Sequence, residues 1–180
     1  MKVKQEICLF WFRRDLRLDD NTALIRACSS GIPVLPVFIF DTNILDKLDK
    51  PADLRVQFIH HTLEKLNLAL RPLGSAIHFS YSTLIDTFSA LLEKYDVKAV
   101  FTNHDHDPYA IQRDQEVKVF LQARGISFDT SKDHVIFEKL EVCKDDGSPY
   151  TVFTPYSRKW KTKYNEVRPL PNHFQLKSDH

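Results

Sequence analysis

Apolar runs and helix-periodic stretches alternate along the first 130 residues. Ile7–Phe12 is a continuous apolar run and reads as a strand buried on both faces. Asn21–Cys28 follows as a helix, with Asp19, Asp20 or Asn21 available as its cap and Gly31 just past its end. Val34–Phe40 is a second strand, rich in β-branched and aromatic residues. Over residues 51–71, Val56, Ile59, Leu63, Leu66 and Leu70 recur at three- and four-residue steps, which predicts a long helix with one apolar stripe. Pro51 suits its first turn, and Pro72 with Gly74 stops it. Ala76–Ser80 is a weaker strand. Ser82 or Thr83 caps the next helix, whose Leu84, Ile85, Phe88, Leu91 and Leu92 share a face. Ala99–Asn103 is a fourth strand and Ile126–Thr130 a fifth. Between them lies a helix over Tyr109–Arg124, inward through Val117, Phe120 and Leu121 and closed by Gly125. This rhythm predicts an α/β fold, a parallel sheet with helices on both faces.

The rhythm ends after Ser131. Asp146-Gly147 is a turn signal inside Glu141–Phe153, which is either a hairpin or an ordered loop. Thr154-Pro155 opens a last helix, with Trp160 and Tyr164 four residues apart on its packed side. Arg158, Lys159, Lys161 and Lys163 fall on its solvated side, the chain's one basic patch. The expected organisation is a core domain over 1–135, a closing loop and helix over 136–167, and the start of a connection over 168–180, with no internal repeat.

Composition narrows the function. With 43% hydrophobic residues there is material for a sizeable core, and a net charge of +1 gives the chain as a whole no pull on nucleic acid. No apolar run reaches bilayer-spanning length, and Met1–Ile7 lacks a signal-peptide core, so a cytoplasmic protein without membrane contact is expected. Cys8, Cys28 and Cys143 form no CxxC pair, against a disulfide framework or structural zinc. Cys8 reads as packing, the other two as incidental surface.

Candidate chemistry lies at the strand ends. Arg13, Arg14 and Asp15 follow the first strand, Asp41, Thr42 and Asn43 the second, and Asn103–Tyr109 (NHDHDPY) the fourth. Parallel strands bring their C-terminal ends to one edge, where open α/β sheets bind ligands. Two readings are open. The arginines and carboxylates there either pair only with one another as solvated loops, or converge beside Phe38, Phe40 and Tyr109 to hold a flat polar heterocycle. No GxGxxG or GxxxxGK[ST] motif is present, and the chain has only four glycines, so a backbone cradle for pyrophosphate is disfavoured. His104 and His106 alternate with Asp105 and Asp107, but nothing distant completes a metal site, so solvated or ring-stacking histidines are expected, and no metal. His60 and His61 read as structural. No glycine-flanked nucleophile elbow occurs, and no catalytic set is expected within the chain.

The segment LFWFRRDLRLDDNTAL (Leu9–Leu24) closely resembles the N-terminal motif of the DNA photolyase and cryptochrome family. NHDHDPYAIQRD (Asn103–Asp114) resembles that family's fourth-strand motif, and DHVIFE and YTVFTPYSRKW resemble the segments closing the same domain. The resemblance implies a Rossmann-like five-stranded parallel sheet. It implies an antenna domain holding a second chromophore that passes excitation energy to FAD, with FAD and damaged DNA bound by a large helical domain that would follow. The implied activity of such a full-length deoxyribodipyrimidine photolyase is light-driven repair of cyclobutane pyrimidine dimers, with this portion inactive alone and monomeric. A cryptochrome blue-light photoreceptor and a stand-alone nucleotide-binding module are the alternatives. Carried over by motif, Arg14, Phe38, Asp41, Arg55, Asp105 and Asp107 would line the chromophore site; Phe40 and Tyr109 join them by position. The implied chromophore is a deazaflavin or an FMN-like ring, with a reduced folate as the alternative. Ala110 stands where folate-binding relatives carry Glu, and Asp105 with Asp107 where deazaflavin binders often show Asp with Glu.

Overall fold

The computed structural model describes residues 3–48, 53–169, 171 and 176. Its strands are β1 (Glu6–Phe12), β2 (Val34–Asp41), β3 (His78–Ser82), β4 (Asp96–Asn103) and β5 (Ser127–Ser131). They form one sheet in the order β3-β2-β1-β4-β5, with every pairing parallel. The helices are α1 (Thr22–Cys28), α2 (Thr42–Leu45), α3 (Leu54–Leu70), α4 (Leu84–Lys94), α5 (Pro108–Gln122) and α6 (Phe153–Val167). The chain winds outward from β1 to β3, then crosses over the sheet to β4, which lies on β1's other side.

Alternation along β1 explains why it is apolar throughout. Ile7, Leu9 and Trp11 enter a core with Phe88 and Leu91 of α4 and Val117 and Leu121 of α5. Cys8, Phe10 and Phe12 enter the opposite core with Ala23 and Leu24 of α1 and Leu63 and Leu70 of α3. Successive side chains of a strand point to opposite faces, so a central strand covered on both sides has no polar face to show. The expected fold is the one observed.

Local chemistry sets the boundaries. Asn21, Asp41, Asp53, Thr83 and Asp107 each accept a backbone N–H with the side chain and so start α1 to α5 respectively. Gly74 (φ 72°) and Gly125 (φ 72°) take the left-handed conformation that ends a helical segment. Several details differ from the sequence-based expectation. The third strand begins two residues later, at His78, because Ile77 instead packs into the core and gives its N–H to Asn67 Oδ1. Pro51, expected in the first turn of α3, lies outside the described residues, as does most of 168–180; Leu176 packs against the α1/α3 core. Glu141–Phe153 forms an ordered loop rather than a hairpin, tied by Gly147 N–H to Lys144 O (2.9 Å) and Lys144 N–H to Ser148 O (2.9 Å). On α6, Trp160 packs edge-on against Phe137 and stacks on Tyr164 at 5.2 Å, yet no residue of that helix is buried.

Cys28 is a correction. The expected surface position is not observed: it is buried against the α1/α3 core because it falls on the inward stripe with Leu24 and Ala27. Burial pushes its thiol up to about 11 and raises Cys8 as well. Cys143 is half-buried. Titration of the native protein with a thiol reagent at pH 8 is expected to modify Cys143 readily, with Cys8 and Cys28 reacting only after denaturation.

Candidate ligand site at the strand ends

The charges after β1 divide into two sets. The Arg13 side chain is largely shielded, though it touches the cavity described below, and is held structurally: its guanidinium bonds both carboxylate oxygens of Asp114 at 2.6 Å and the carbonyl of Asn103. Asp15 is buried. It accepts the Arg13 N–H (2.8 Å) and the side-chain amides of Asn103 (2.5 Å) and Asn21 (3.4 Å). Asn103 Oδ1 in turn accepts the N–H of Ala23, tying the end of β4 to the first turn of α1. Arg17 pairs with Asp133 at 2.7 Å. Arg13 and Arg17 thus pair with carboxylates, whereas Asp15 is held by a backbone N–H and two side-chain amides.

Arg14 belongs to the second set. Its side chain is exposed and lies 3.4 Å from Asp105 and 3.9 Å from Asp107. Together these three mark the rim of a cavity of about 440 Å³. All eight residues singled out from the sequence, Arg14, Phe38, Phe40, Asp41, Arg55, Asp105, Asp107 and Tyr109, line it. They come from the ends of β1 and β2, the start of α3 and the β4–α5 junction, which only a parallel sheet brings to one edge. Phe38 is buried and meets Phe40 edge to face at 4.8 Å. Asp41, also buried, accepts the Tyr109 hydroxyl at 3.1 Å and the Asn43 N–H at 3.0 Å. Arg55 is turned to its neighbour Asp53 at 2.6 Å, largely in solvent. That contact lowers the Asp53 carboxyl to about 2. Asp105 is mostly buried. Burial opposes its ionisation, but the Asp107 N–H, Arg14 and Arg13 outweigh this and hold its pKa below the ordinary aspartate value.

Two parts of the wall are not evident from the sequence. Ile44, Leu45, Leu48, Val56 and Ile59 supply an apolar side from α2, the turn after it and α3. By spacing alone the stripe on α3 reads as core; its first turns, through Val56 and Ile59, stay half-buried and face this space. The second is Arg113, four residues after Tyr109 and thus one helical turn further along the same face of α5, a spacing that could have flagged it. Its Nε and Nη2 are buried without a hydrogen-bond partner, and its Cζ lies 4.9 Å from the Trp11 ring centre. Burial and repulsion from Arg13 push its pKa below the ordinary arginine value, opposed by Asp114, Asp105 and Asp41.

His104 is a further correction, whereas His106 stays exposed. His104 is neither solvated nor stacked: its Nδ1 is 2.9 Å from Glu138 and its Nε2 is 3.0 Å from Thr130 Oγ1. His106 lies 3.8 Å from the same glutamate. His104 therefore ties the closing loop to the sheet edge, and neither histidine lines the cavity.

A volume of this size falls in the range of small-molecule pockets, roughly 300–1,000 Å³. Aromatic and aliphatic walls with a few charged groups at one side suit a flat ring with a polar edge. No Ser, Cys, His or Lys lines the cavity among the described residues; its ionisable side chains are aspartates, arginines and one tyrosine. Among the described residues, no helix is long and apolar enough to cross a membrane.

Residues 8–174 match the family described as DNA photolyase. Cryptochrome-2 of Arabidopsis thaliana is 36% identical over 175 residues, covering 93% of this chain and 27% of that protein. Two solved structures share the fold. The class III photolyase of Agrobacterium tumefaciens superposes with a TM-score of 0.76 at 27% identity, over 89% of this chain and 33% of that one. An archaeal photolyase from Sulfolobus tokodaii, solved with two FAD molecules and described as implying a novel light-harvesting cofactor, gives 0.68 at 28% identity, over 91% and 35%. The chain spans about a third of the length of the curated photolyases it matches.

Proposed function

Because this chain belongs to the DNA photolyase family, we propose that its strand-end cavity is the site of a light-harvesting chromophore, a deazaflavin or an FMN-like ring. In this reading the ring absorbs light and passes the energy to FAD held elsewhere in a full-length photolyase, which repairs pyrimidine dimers in DNA. One observation carries the reading: residues from four separate parts of the chain line a single cavity, apolar along its walls and charged at its rim.

The residues divide the work by chemistry. Phe38, Ile44, Val56 and Ile59 would cover the ring and exclude water. Asp105 and Asp107 would accept from ring N–H or side-chain hydroxyl groups, with Arg14 beside both at the rim. Asp41 fixes the Tyr109 hydroxyl, and so the position of that ring at the mouth. A folate is the poorer fit, since Ala110 supplies no carboxylate to the cavity wall.

Titration of the purified chain with FMN and with an 8-hydroxy-5-deazaflavin, followed by fluorescence anisotropy, is expected to give saturable binding to at least one of them. Arg55→Ala is expected to weaken it by no more than about threefold, the scale of an exposed charge contact. Saturation by neither ring would reject the proposal. The likeness to Cryptochrome-2 supports a second reading, a signalling photoreceptor using the same cavity. Dimer repair by the full-length protein under blue light separates the two.

A further inference from the structure

Trp11 and Tyr109 are the two readily oxidised side chains on the cavity wall among the described residues. A photoexcited flavin-type ring is a strong one-electron oxidant, and an indole or phenol touching it is a ready donor. Such a transfer destroys the excited state that a light-harvesting site must preserve. Trp11, however, is almost wholly buried and lies close to two cations: the guanidinium carbons of Arg13 and Arg113 sit 5.0 Å and 4.9 Å from its ring centre. Arg113 is also 5.9 Å from the centre of the Tyr109 ring.

The two cations are not equivalent. Arg13 is offset at 2.6 Å by Asp114. The Nη2 of Arg113 is 3.5 Å from Asp114, and its Nε and Nη2 make no hydrogen bond, so its charge is the less compensated of the two. A cation over an aromatic face attracts the neutral ring but repels positive charge placed on it. Both guanidinium groups are largely shielded from water, so such repulsion is only weakly screened.

We propose that Arg113, assisted by Arg13, is a positioning residue that holds Trp11 and Tyr109 against oxidation, so that a ring excited in the cavity loses its energy by transfer rather than by electron capture from the protein. The suppressed step takes one electron from the indole, leaving a radical cation at Trp11 and the electron on the ring. At Tyr109 the electron would leave together with the phenolic proton, which Asp41 is placed to accept. The inference rests on the cavity being a chromophore site.

The test is the fluorescence lifetime of bound FMN, or of bound deazaflavin, in the parent chain and its variants. Arg113→Met is expected to raise the quenching rate about tenfold, the effect of a modest change in barrier. Arg113→Lys retains the charge and is expected to keep most of the parent lifetime. Adding Trp11→Phe and Tyr109→Phe to Arg113→Met is expected to restore it. A purely structural role would change affinity or melting but not make the lifetime of the bound fraction follow the charge at residue 113. If Arg113→Met fails to fold, Trp11→Phe alone decides: an unchanged lifetime supports the inference, and a longer one shows that Trp11 quenches in the parent and overturns it. Equal lifetimes in Arg113→Met and the parent overturn this inference and leave the binding site standing. Binding of neither ring by the parent removes both.

Discussion

Asp15→Ala is expected to cost about 3 kcal/mol of stability, the loss of a buried anion together with the donors it leaves unsatisfied. Its carboxylate takes the N–H of Arg13 and the amide of Asn103, with the Asn21 amide beside it. That cluster closes the gap between the ends of β1 and β4 and the start of α1. Without it, Asn103 Nδ2 keeps only Asn21 Oδ1 at 2.8 Å. Domains are stable by only about 5–15 kcal/mol, so the loss is a large share of the total. Urea unfolding reads it as a lower midpoint with an unchanged slope. A midpoint equal to the parent's would show that the cluster contributes nothing net.

Asp105→Ala is expected to weaken binding of the flavin or deazaflavin by roughly tenfold to a hundredfold, since a hydrogen bond to a charged group is worth about 1.5–3 kcal/mol. Its mostly buried carboxylate is held ionised by the Asp107 N–H and by Arg14, which makes it a prepared acceptor rather than a solvated one. The folded-state pKa lies below the ordinary aspartate value, so the acceptor is present at neutral pH and is lost only in strong acid, on protonation. Stability linked to this group follows the same sign: present above the unfolded-state pKa and lost as pH falls through the lowered one. Asp105→Asn should fall between the parent and the alanine variant. Affinity unchanged in Asp105→Ala would place the ring's polar edge elsewhere.

Much of this arrangement is legible in the amino-acid sequence. The all-apolar β1 needs two covered faces, and the strand–helix alternation leaves a parallel sheet as the simplest answer; from that alone the C-terminal ends of β1, β2 and β4 must share an edge. Hence the six residues read from the motifs, and Phe40 and Tyr109 added by position, lie around one cavity. What is not legible depends on three-dimensional partners. Arg13 and Arg14 are adjacent and alike in sequence, yet one is sealed against Asp114 and the other reaches the rim. Asp15 looks like a ligand group and is a structural one, because its partners lie 88 and 6 residues away. Arg113 is marked in the sequence only by its spacing from Tyr109, and its closeness to Trp11 is a matter of three-dimensional packing. Cys28 is hard to place for a similar reason: one short helix offers too few turns to separate its buried face from its exposed one.

The central claim is that the rim formed by β1, β2 and the β4–α5 junction grips a flat chromophore. Amide NMR of the isotopically labelled chain during titration with FMN or the deazaflavin tests it most directly. The account predicts saturable shifts concentrated at Arg14, Asp41, Asp105, Asp107 and Tyr109, with the amides of β5 and α6 unmoved. Shifts centred on β5 or α6, or none at saturating ring, would contradict it.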